Sequence, residues 1–218
     1  MPQSGDGCGF GGGIVWDERE RLRLVILVGA TRQGRFGLAA AEWLASRARL
    51  RKDFEVDVID LATAWLPDLM TADPAVSRPS AVRDLSPWLD AADAFAVITP
   101  EYRHGYPASL KNAIDWYDRE WHAKPVGFLS YGGPSGGLCA VAQLRQVFAE
   151  SHAVTVSETV SFHDYDKRWG PDGALLDTED CRRDAVAMLD RLGWWARALC
   201  RARAREPYRC ADRPRAEE

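Results

Sequence analysis

Residues 22–37 read LRLVILVGATRQGRFG, an apolar run followed by a polar turn that contains glycine. The run at 24–28 has the length and β-branched content of a strand buried on both faces, and it stops at Gly29. A hydroxyl, two guanidinium groups and flanking glycines precede a helical pattern that begins near Phe36. Unpaired amides at a helix start, the helix dipole and an arginine fork all favour a phosphate. The stretch predicts a strand, an anion-binding turn and a helix, although a turn with solvated arginines also explains it.

Strand-like and helix-like segments alternate along most of the chain. Strands are expected at 22–28, 54–61, 94–99, 126–130 and 154–156, the last of them reaching 160 at most. Helices are expected at 36–50, 80–91, 107–120 and from 138. A last helix is expected behind an N-cap at Asp177, with an apolar stripe of Val186, Leu189, Leu192, Ala196 and Leu199. Such alternation with short loops predicts an α/β fold with helices on both faces of a parallel sheet. Five strands suggest a three-layer, doubly wound, flavodoxin-like sheet of order 2-1-3-4-5.

Three further regions lack this pattern. Residues 1–20 hold six glycines in the first thirteen positions and are expected to be a disordered leader. Residues 201–218 are rich in arginine without an apolar period, which predicts a tail, so the domain is expected to occupy 21–200. The loop-like segment 62–79 contains three prolines and an apolar patch at 65–70, and such a patch covers a site or contacts a partner.

The composition excludes several classes of protein. The chain has 218 residues and a formal net charge of −4, which argues against nucleic acid or an anionic membrane as the main partner. No apolar run reaches the roughly 18 to 20 residues of a membrane span and no signal peptide is recognisable, so a cytoplasmic protein is predicted. Five scattered cysteines and four scattered histidines form no C-x-x-C or H-x-x-x-H pair, so no disulfide framework and no metal site are expected.

Three unusual loops follow strands one, three and four of the predicted sheet. They cover 29–37, 100–106 and 131–137. The carboxyl ends of parallel strands meet at one edge of a sheet, and ligands of open α/β sheets bind there, where the strand order reverses. The sequence therefore predicts one binding site built from these loops.

The three loops together resemble the NADPH-dependent FMN reductase family. The first carries G-x-T-R-x-G-R-x-G at Gly29, Thr31, Arg32, Gly34, Arg35 and Gly37. The second carries P-E-Y-x-x-x-x-P-x-x-L-K-N-x-x-D-W, at Pro100, Glu101, Tyr102, Pro107, Leu110, Lys111, Asn112, Asp115 and Trp116. The third carries G-G-x-S-G-G at Gly132, Gly133, Ser135, Gly136 and Gly137.

The resemblance implies an enzyme that binds FMN and takes hydride from NADPH at the flavin N5. Electrons then pass to a small-molecule acceptor, namely free flavin, a quinone or a xenobiotic. The implied FMN-binding residues are Thr31, Arg32, Gly34, Arg35, Gly37, Pro100, Glu101, Tyr102, Arg103, Gly132, Gly133, Ser135, Gly136 and Gly137. No side chain is assigned a catalytic role, because the flavin carries the chemistry. A homodimer or homotetramer is also expected: the resemblance implies that the helix containing Asn112, Asp115 and Trp116 contacts a neighbouring subunit, and the apolar residues of helix 107–119 and segment 65–70 suggest these two as the contact surfaces.

Two positions depart from the family pattern. Arg103 stands where the family usually has asparagine, and Cys139 stands where it often has a basic residue. Arginine is bulky and only donates hydrogen bonds, so Arg103 either weakens flavin binding or turns outward toward the phosphates of NADPH. Two alternatives to the enzyme stay open: an electron carrier of the flavodoxin type, and an interaction module with weakened flavin binding.

Overall fold

The computed structural model describes residues 21–70, 77–170 and 175–209. The predicted leader and the end of the predicted tail lie outside these ranges. No helix among the described residues is both long and apolar enough to cross a membrane.

A single parallel sheet organises the described part of the chain. Its five strands are β1 (Leu22–Val28), β2 (Phe54–Asp60), β3 (Ala94–Pro100), β4 (Pro125–Tyr131) and β5 (Val154–Phe162). They lie in the order β2-β1-β3-β4-β5, and every pair is parallel. The predicted doubly wound order is confirmed, and the strand order reverses between β1 and β3.

Helices cover both faces of the sheet. They are α1 (Phe36–Leu50), α2 (Leu61–Ala64), α3 (Ser80–Asp90), α4 (Ala108–Trp116), α5 (Leu138–Glu150) and α6 (Glu179–Arg205), with 3₁₀ turns at Arg119–Trp121 and Tyr165–Lys167. In β1, Leu24, Ile26 and Val28 pack in the core beneath α1 and α6, whereas Val25 and Leu27 pack in the core beneath α3, α4 and α5. This alternation buries β1 on both faces, as its apolar run predicts.

The helix expected at 107–120 is shorter than predicted. It ends at Trp116 because Tyr117 is extended, with φ −119° and ψ 143°. The Trp121 indole then fills the core against Phe95 and donates its Nε1 hydrogen to the carbonyls of Ile114 and Tyr117. Tertiary packing of one large aromatic side chain therefore overrides the helical pattern here.

The last helix also differs from its prediction. Thr178 rather than Asp177 is its N-cap, because the Asp177 carboxylate accepts from the Trp43 indole and pairs with Arg47. Val186 is 53% exposed and lies outside the core, which Ala185 and Met188 enter instead. The helix continues to Arg205, so the first residues of the expected tail are helical.

Candidate functional site

A cavity of about 250 Å³ lies at the carboxyl edge of the sheet, where the strand order reverses. We call it the switch-point cavity. Eight of the predicted cofactor-binding residues line it: Arg32, Gly34, Arg35, Pro100, Glu101, Tyr102, Gly132 and Gly133. The structure therefore brings together all three loops that the sequence singled out.

Six predicted residues lie beside the cavity without lining it: Thr31, Gly37, Arg103, Ser135, Gly136 and Gly137. Thr31 and Arg103 are exposed, whereas Gly37, Gly136 and Gly137 are buried beneath the loops. Gln33, Phe36, Tyr131 and Tyr165 line the cavity but were not assigned to it from sequence. Gln33, Phe36 and Tyr131 lie within the predicted loops 29–37 and 131–137, whereas Tyr165 lies outside all three loops, so only the fold brings Tyr165 to the cavity.

The N-terminus of α1 has the features of an anion-binding site. Arg35 occupies its N-cap without a side-chain cap, and no acidic residue lies in the first turn. The first-turn amides of a helix have no partners within the helix, and the dipole makes this end positive. Backbone amides and a positive helix end are thus available at the wall of the cavity.

The two arginines of this loop are held differently. Arg35 pairs through its Nη2 with Asp60 at the end of β2, and both side chains are largely buried. Arg32 is exposed, and its guanidinium carbon lies 4.1 Å from the centroid of the Tyr102 ring. Arg35 is therefore fixed by the protein itself, whereas Arg32 rests on an aromatic ring across the cavity.

The second loop is a tight hairpin. Tyr102 and Gly105 exchange both backbone hydrogen bonds, at 2.8 and 3.0 Å, around Arg103 and His104. Both central residues have positive φ, 52° and 66°, which is the backbone of a type I′ turn. Such turns favour asparagine and glycine at these positions, so the backbone of Arg103 and His104 is strained. The Arg103 side chain has no partner within the described part of the chain and points into solvent at the rim.

Glu101 connects the second loop to the third. Its carboxylate is 7% exposed, accepts from the Ser135 hydroxyl at 2.9 Å and accepts from the Cys139 amide at 3.0 Å. Cys139 lies in the first turn of α5, so Glu101 caps that helix from outside. The start of α5 is therefore already occupied by a negative charge, while the start of α1 is not.

The third loop needs two of its glycines for the chain's own packing. Gly136 and Gly137 have φ of +61° and +86°. A Cβ at Gly136 would collide with the Ser161 hydroxyl, and one at Gly137 would lie 2.7 Å from the Cβ of Ser130. A Cβ at Gly133, by contrast, would meet no protein atom within 4 Å. Of these three glycines, only Gly133 could carry a side chain without a clash among the described residues, and Gly133 lines the cavity.

Aromatic rings form one wall of the cavity. Phe36 packs against Tyr131 and Tyr165, with ring centroids 5.0 and 5.4 Å apart. Burial raises the pKa of Tyr131, and the neighbouring Tyr102 adds to this rise, while the Gly37 amide opposes it. The tyrosine is neutral at physiological pH and presents a hydroxyl group rather than a charge.

Three buried polar side-chain atoms among the described residues have no hydrogen-bond partner: Arg35 Nε, Tyr131 Oη and Arg47 Nε. The Gly37 amide is near the Tyr131 hydroxyl but does not reach hydrogen-bond geometry with it. Two of the three atoms belong to residues that line the switch-point cavity. An unpaired buried donor costs about 1 to 3 kcal/mol, so the two atoms beside the cavity are candidates for a hydrogen bond to a ligand.

The strand order and the helices on both faces define the class of protein: an α/β flavodoxin-like fold with a cavity where the strand order reverses. The chain belongs to the NADPH-dependent FMN reductase family, a family of flavin-dependent oxidoreductases, whose sequence profile matches residues 22–167. The match includes all three loops of the site, and it confirms the resemblance that the motifs carry.

Individual relatives agree with this assignment. An NAD(P)H-dependent FMN reductase of Schizosaccharomyces pombe is 33% identical over 132 residues, which are 57% of this chain and 64% of that protein. The alignment thus spans slightly less than two thirds of that relative. A 2-hydroxy-1,4-benzoquinone reductase of Burkholderia is 29% identical over 182 residues, which are 81% of this chain and 97% of that protein.

A solved structure supports the fold. FerB, a flavoenzyme NAD(P)H:(acceptor) oxidoreductase of Paracoccus denitrificans, superposes with a TM-score of 0.66 at 24% identity. The superposition covers 82% of this chain and 98% of that one.

Proposed function

We propose that this protein is an NAD(P)H-dependent oxidoreductase that binds FMN in the switch-point cavity and reduces a small-molecule acceptor. The observation that carries the proposal is the pair of unpartnered buried polar groups, Arg35 Nε and the Tyr131 hydroxyl, in a cavity formed by the three family loops. FMN offers both a phosphate and polar ring and ribityl atoms, so its chemistry fits these groups.

The phosphate would be held by the loop after β1. The α1 amides, Arg32 and Thr31 supply donors and positive charge, and no carboxylate in the first turn of α1 competes for them. Glu101 excludes the other candidate, the start of α5, because its carboxylate already caps that helix. The ring end would then lie toward Tyr102, Gly132 and Gly133, where a glycine without structural need lets the ligand approach the backbone.

When bound, FMN supplies a two-electron acceptor at N5 for hydride from the nicotinamide. The chain orients the cofactor through the donors of the first loop, and its aromatic wall at Phe36, Tyr131 and Tyr165 excludes water from one side. Glu101 keeps the second and third loops in register by holding Ser135 and the Cys139 amide. No proton-transferring side chain is required for these roles.

Arg103 is our candidate for the choice of NADPH over NADH. The two coenzymes differ by one phosphate, and an outward guanidinium on the rim suits a phosphate better than the usual asparagine. Replacement by asparagine should lower kcat/KM for NADPH about tenfold and leave that for NADH nearly unchanged. An equal loss with both coenzymes would show instead that Arg103 shapes the loop.

The acceptor is a small molecule. The Burkholderia relative is named for a benzoquinone, and this supports a quinone as the acceptor of our protein, with free flavin or a xenobiotic as alternatives. A rival function is electron transfer to a protein partner without NADPH oxidation.

Anaerobic titration of the purified protein with NADPH tests the proposal. The protein should be yellow or become so with FMN, the flavin absorbance should bleach on adding NADPH, and a benzoquinone should restore it. A flavin that binds but is not reduced by NADPH or NADH would favour the electron carrier. Absence of flavin binding would leave the interaction module.

Self-association is the further part of the proposal. Trp65 and Leu69 are 81% and 87% exposed, although Asn112 and Trp116 both donate to the Pro67 carbonyl and hold this segment on α4. A fixed, exposed apolar surface of this kind suits a second copy of the chain. Light scattering of the native chain and of Trp65→Glu should give an oligomer and a smaller species, respectively.

A further inference from the structure

We propose that Glu101, His104 and Cys139 bind one divalent cation of the zinc type at the rim of the switch-point cavity. A carboxylate oxygen, an imidazole nitrogen and the thiol sulfur of these residues all lie within 4.8 Å of one another. The spacing of histidines and cysteines in the sequence did not predict this group. Its members come from the second loop and from α5, which meet only in the fold.

The carboxylate of Glu101 is already in position. Its two oxygens accept from the Ser135 hydroxyl and the Cys139 amide, and these contacts fix the direction of the group. A carboxylate oxygen has two lone pairs, so each oxygen retains one for a cation. These two hydrogen bonds would act as the outer partners that orient a metal-binding carboxylate.

His104 is held beside this carboxylate by its backbone. The residue has φ 66° in the hairpin, and its carbonyl accepts from Gln143 Nε2 at 2.9 Å. Its Nδ1 lies 3.4 Å from Glu101 Oε1, which is long for a charge-assisted hydrogen bond. Two ligands about 2.0 to 2.1 Å from a tetrahedral ion stand about 3.4 Å apart, so the observed separation suits a shared ion.

Cys139 completes the set from the other side. It lies in the first turn of α5, is partly exposed and forms no disulfide. Its backbone amide is hydrogen-bonded to Glu101, and its sulfur lies within 4.8 Å of the other two ligand atoms. A metal binds the thiolate, so binding releases the thiol proton to solvent.

The donor set selects the kind of cation. Thiolate, imidazole and carboxylate together are the ligands of zinc, whereas magnesium and calcium prefer oxygen alone. Three protein ligands leave a fourth position for water. The bound ion would join the strained hairpin to α5 and place positive charge beside a cavity that we assign to an anionic cofactor.

Calorimetric titration of the full chain with Zn²⁺ tests the site, and Co²⁺ serves as a spectroscopic probe. We expect one ion per chain, release of a proton, and ligand-field absorption of tetrahedral Co²⁺ at longer wavelengths than oxidised flavin. Cys139→Ser should weaken Zn²⁺ binding at least about tenfold and change this Co²⁺ absorption, since even outer-shell changes cost about 10- to 100-fold.

His104→Gly removes the imidazole and leaves the backbone unstrained, because glycine is the preferred residue at this turn position. It should weaken Zn²⁺ binding by a similar factor without unfolding the chain. The matched control is His152→Gly, an exposed histidine with φ 54° outside the cluster, which should leave Zn²⁺ affinity unchanged.

Two results would overturn the site. One is a Zn²⁺ dissociation constant weaker than about 1 mM in the native chain. The other is binding that persists in both Cys139→Ser and His104→Gly, which would assign the ion to other residues. Neither result depends on flavin reduction, so the site and the proposed enzyme activity can fail separately.

Discussion

The two edges of the sheet treat their buried polar groups in opposite ways. At the amino edge, Lys124 is 4% exposed, yet its Nζ donates to the carbonyls of Leu89 and Asp90 at 2.9 and 2.6 Å. Next to it, Cys200 donates to Asp93. At the carboxyl edge, Arg35 Nε and the Tyr131 hydroxyl are buried without a partner.

This difference separates structure from function. The amino-edge groups complete hydrogen bonds that the fold itself requires, such as the last carbonyls of α3, so they stabilise the domain. At the carboxyl edge, Arg35 Nε and the Tyr131 hydroxyl make no hydrogen bond within the described residues, and we propose that a ligand supplies their partner. Substitutions at the amino edge should therefore change stability alone, and those at the carboxyl edge should change binding.

Two glycines at the carboxyl edge have different roles, and substitution of one of them should have the largest effect on stability. Gly136→Ala should lower the free energy of unfolding by about 3 kcal/mol, because its φ is +61° and its Cβ would collide with Ser161. Gly133→Ala is the matched control and should leave stability unchanged while weakening FMN binding. Urea denaturation and calorimetry of both variants decide the point. Equal stabilities of the two variants would contradict it.

Arg32 should have the next largest effect. Arg32→Ala is expected to cost about 2 to 3 kcal/mol of FMN binding, or roughly 30- to 150-fold, if the phosphate contact is desolvated. Lysine should restore only part, since it lacks the planar fork. Riboflavin has no phosphate and should bind native and variant protein alike. If both ligands weaken equally, the arginine shapes the loop through its contact with Tyr102.

Substitution of Lys124 tests whether the buried polar groups of the amino edge affect stability alone. Lys124→Met should lower the free energy of unfolding by about 2 kcal/mol, because two buried carbonyls lose their donor, and FMN affinity should not change. Burial lowers the pKa of Lys124 to about 8 from 10.5 in the unfolded chain, with Arg203 adding to the shift.

The unfolded chain therefore binds more protons between these pH values, and the native domain should gain stability as pH rises from about 8 toward 10.5. Tyr117 and Tyr131, whose pKa values are raised by burial, oppose this gain above pH 10. The variant should lack the gain near pH 8 to 9 in denaturation experiments. An unchanged pH dependence would mean that another group titrates there.

Tyr131→Phe should have the smallest effect. Its hydroxyl has no partner in the free chain, so its removal should not reduce stability. If the hydroxyl contacts FMN, affinity should fall by about 1 kcal/mol, or roughly fivefold. Parallel thermal denaturation and FMN titration measure both quantities. A loss of stability without a loss of FMN affinity would show that the Tyr131 hydroxyl stabilises the fold and does not bind FMN.

The sequence predicted the fold well because its signals are local. The apolar run at 24–28 and the helix at 36–50 have clear periods, and the structure has the helix at the predicted bounds. The break after Trp116 could not be predicted, since it depends on Trp121 filling a space beneath Phe95.

The site was only partly predictable for the same reason. The three loops carry recognisable motifs, but the pairing of Arg35 with Asp60 joins residues 25 positions apart, and Glu101 reaches Cys139 across 38 positions. Tyr165 lies outside all three predicted loops, and only the fold brings it to the cavity. Such partners are fixed by tertiary packing and leave no periodic signal.

The central claim is that the switch-point cavity holds a flavin by its phosphate. Calorimetric titration of the native protein with FMN and with riboflavin tests this most directly. We expect FMN to bind at least about 100-fold more tightly than riboflavin, which is roughly 3 kcal/mol for a desolvated phosphate contact. Equal affinity for the two ligands, or no binding of either, would contradict it.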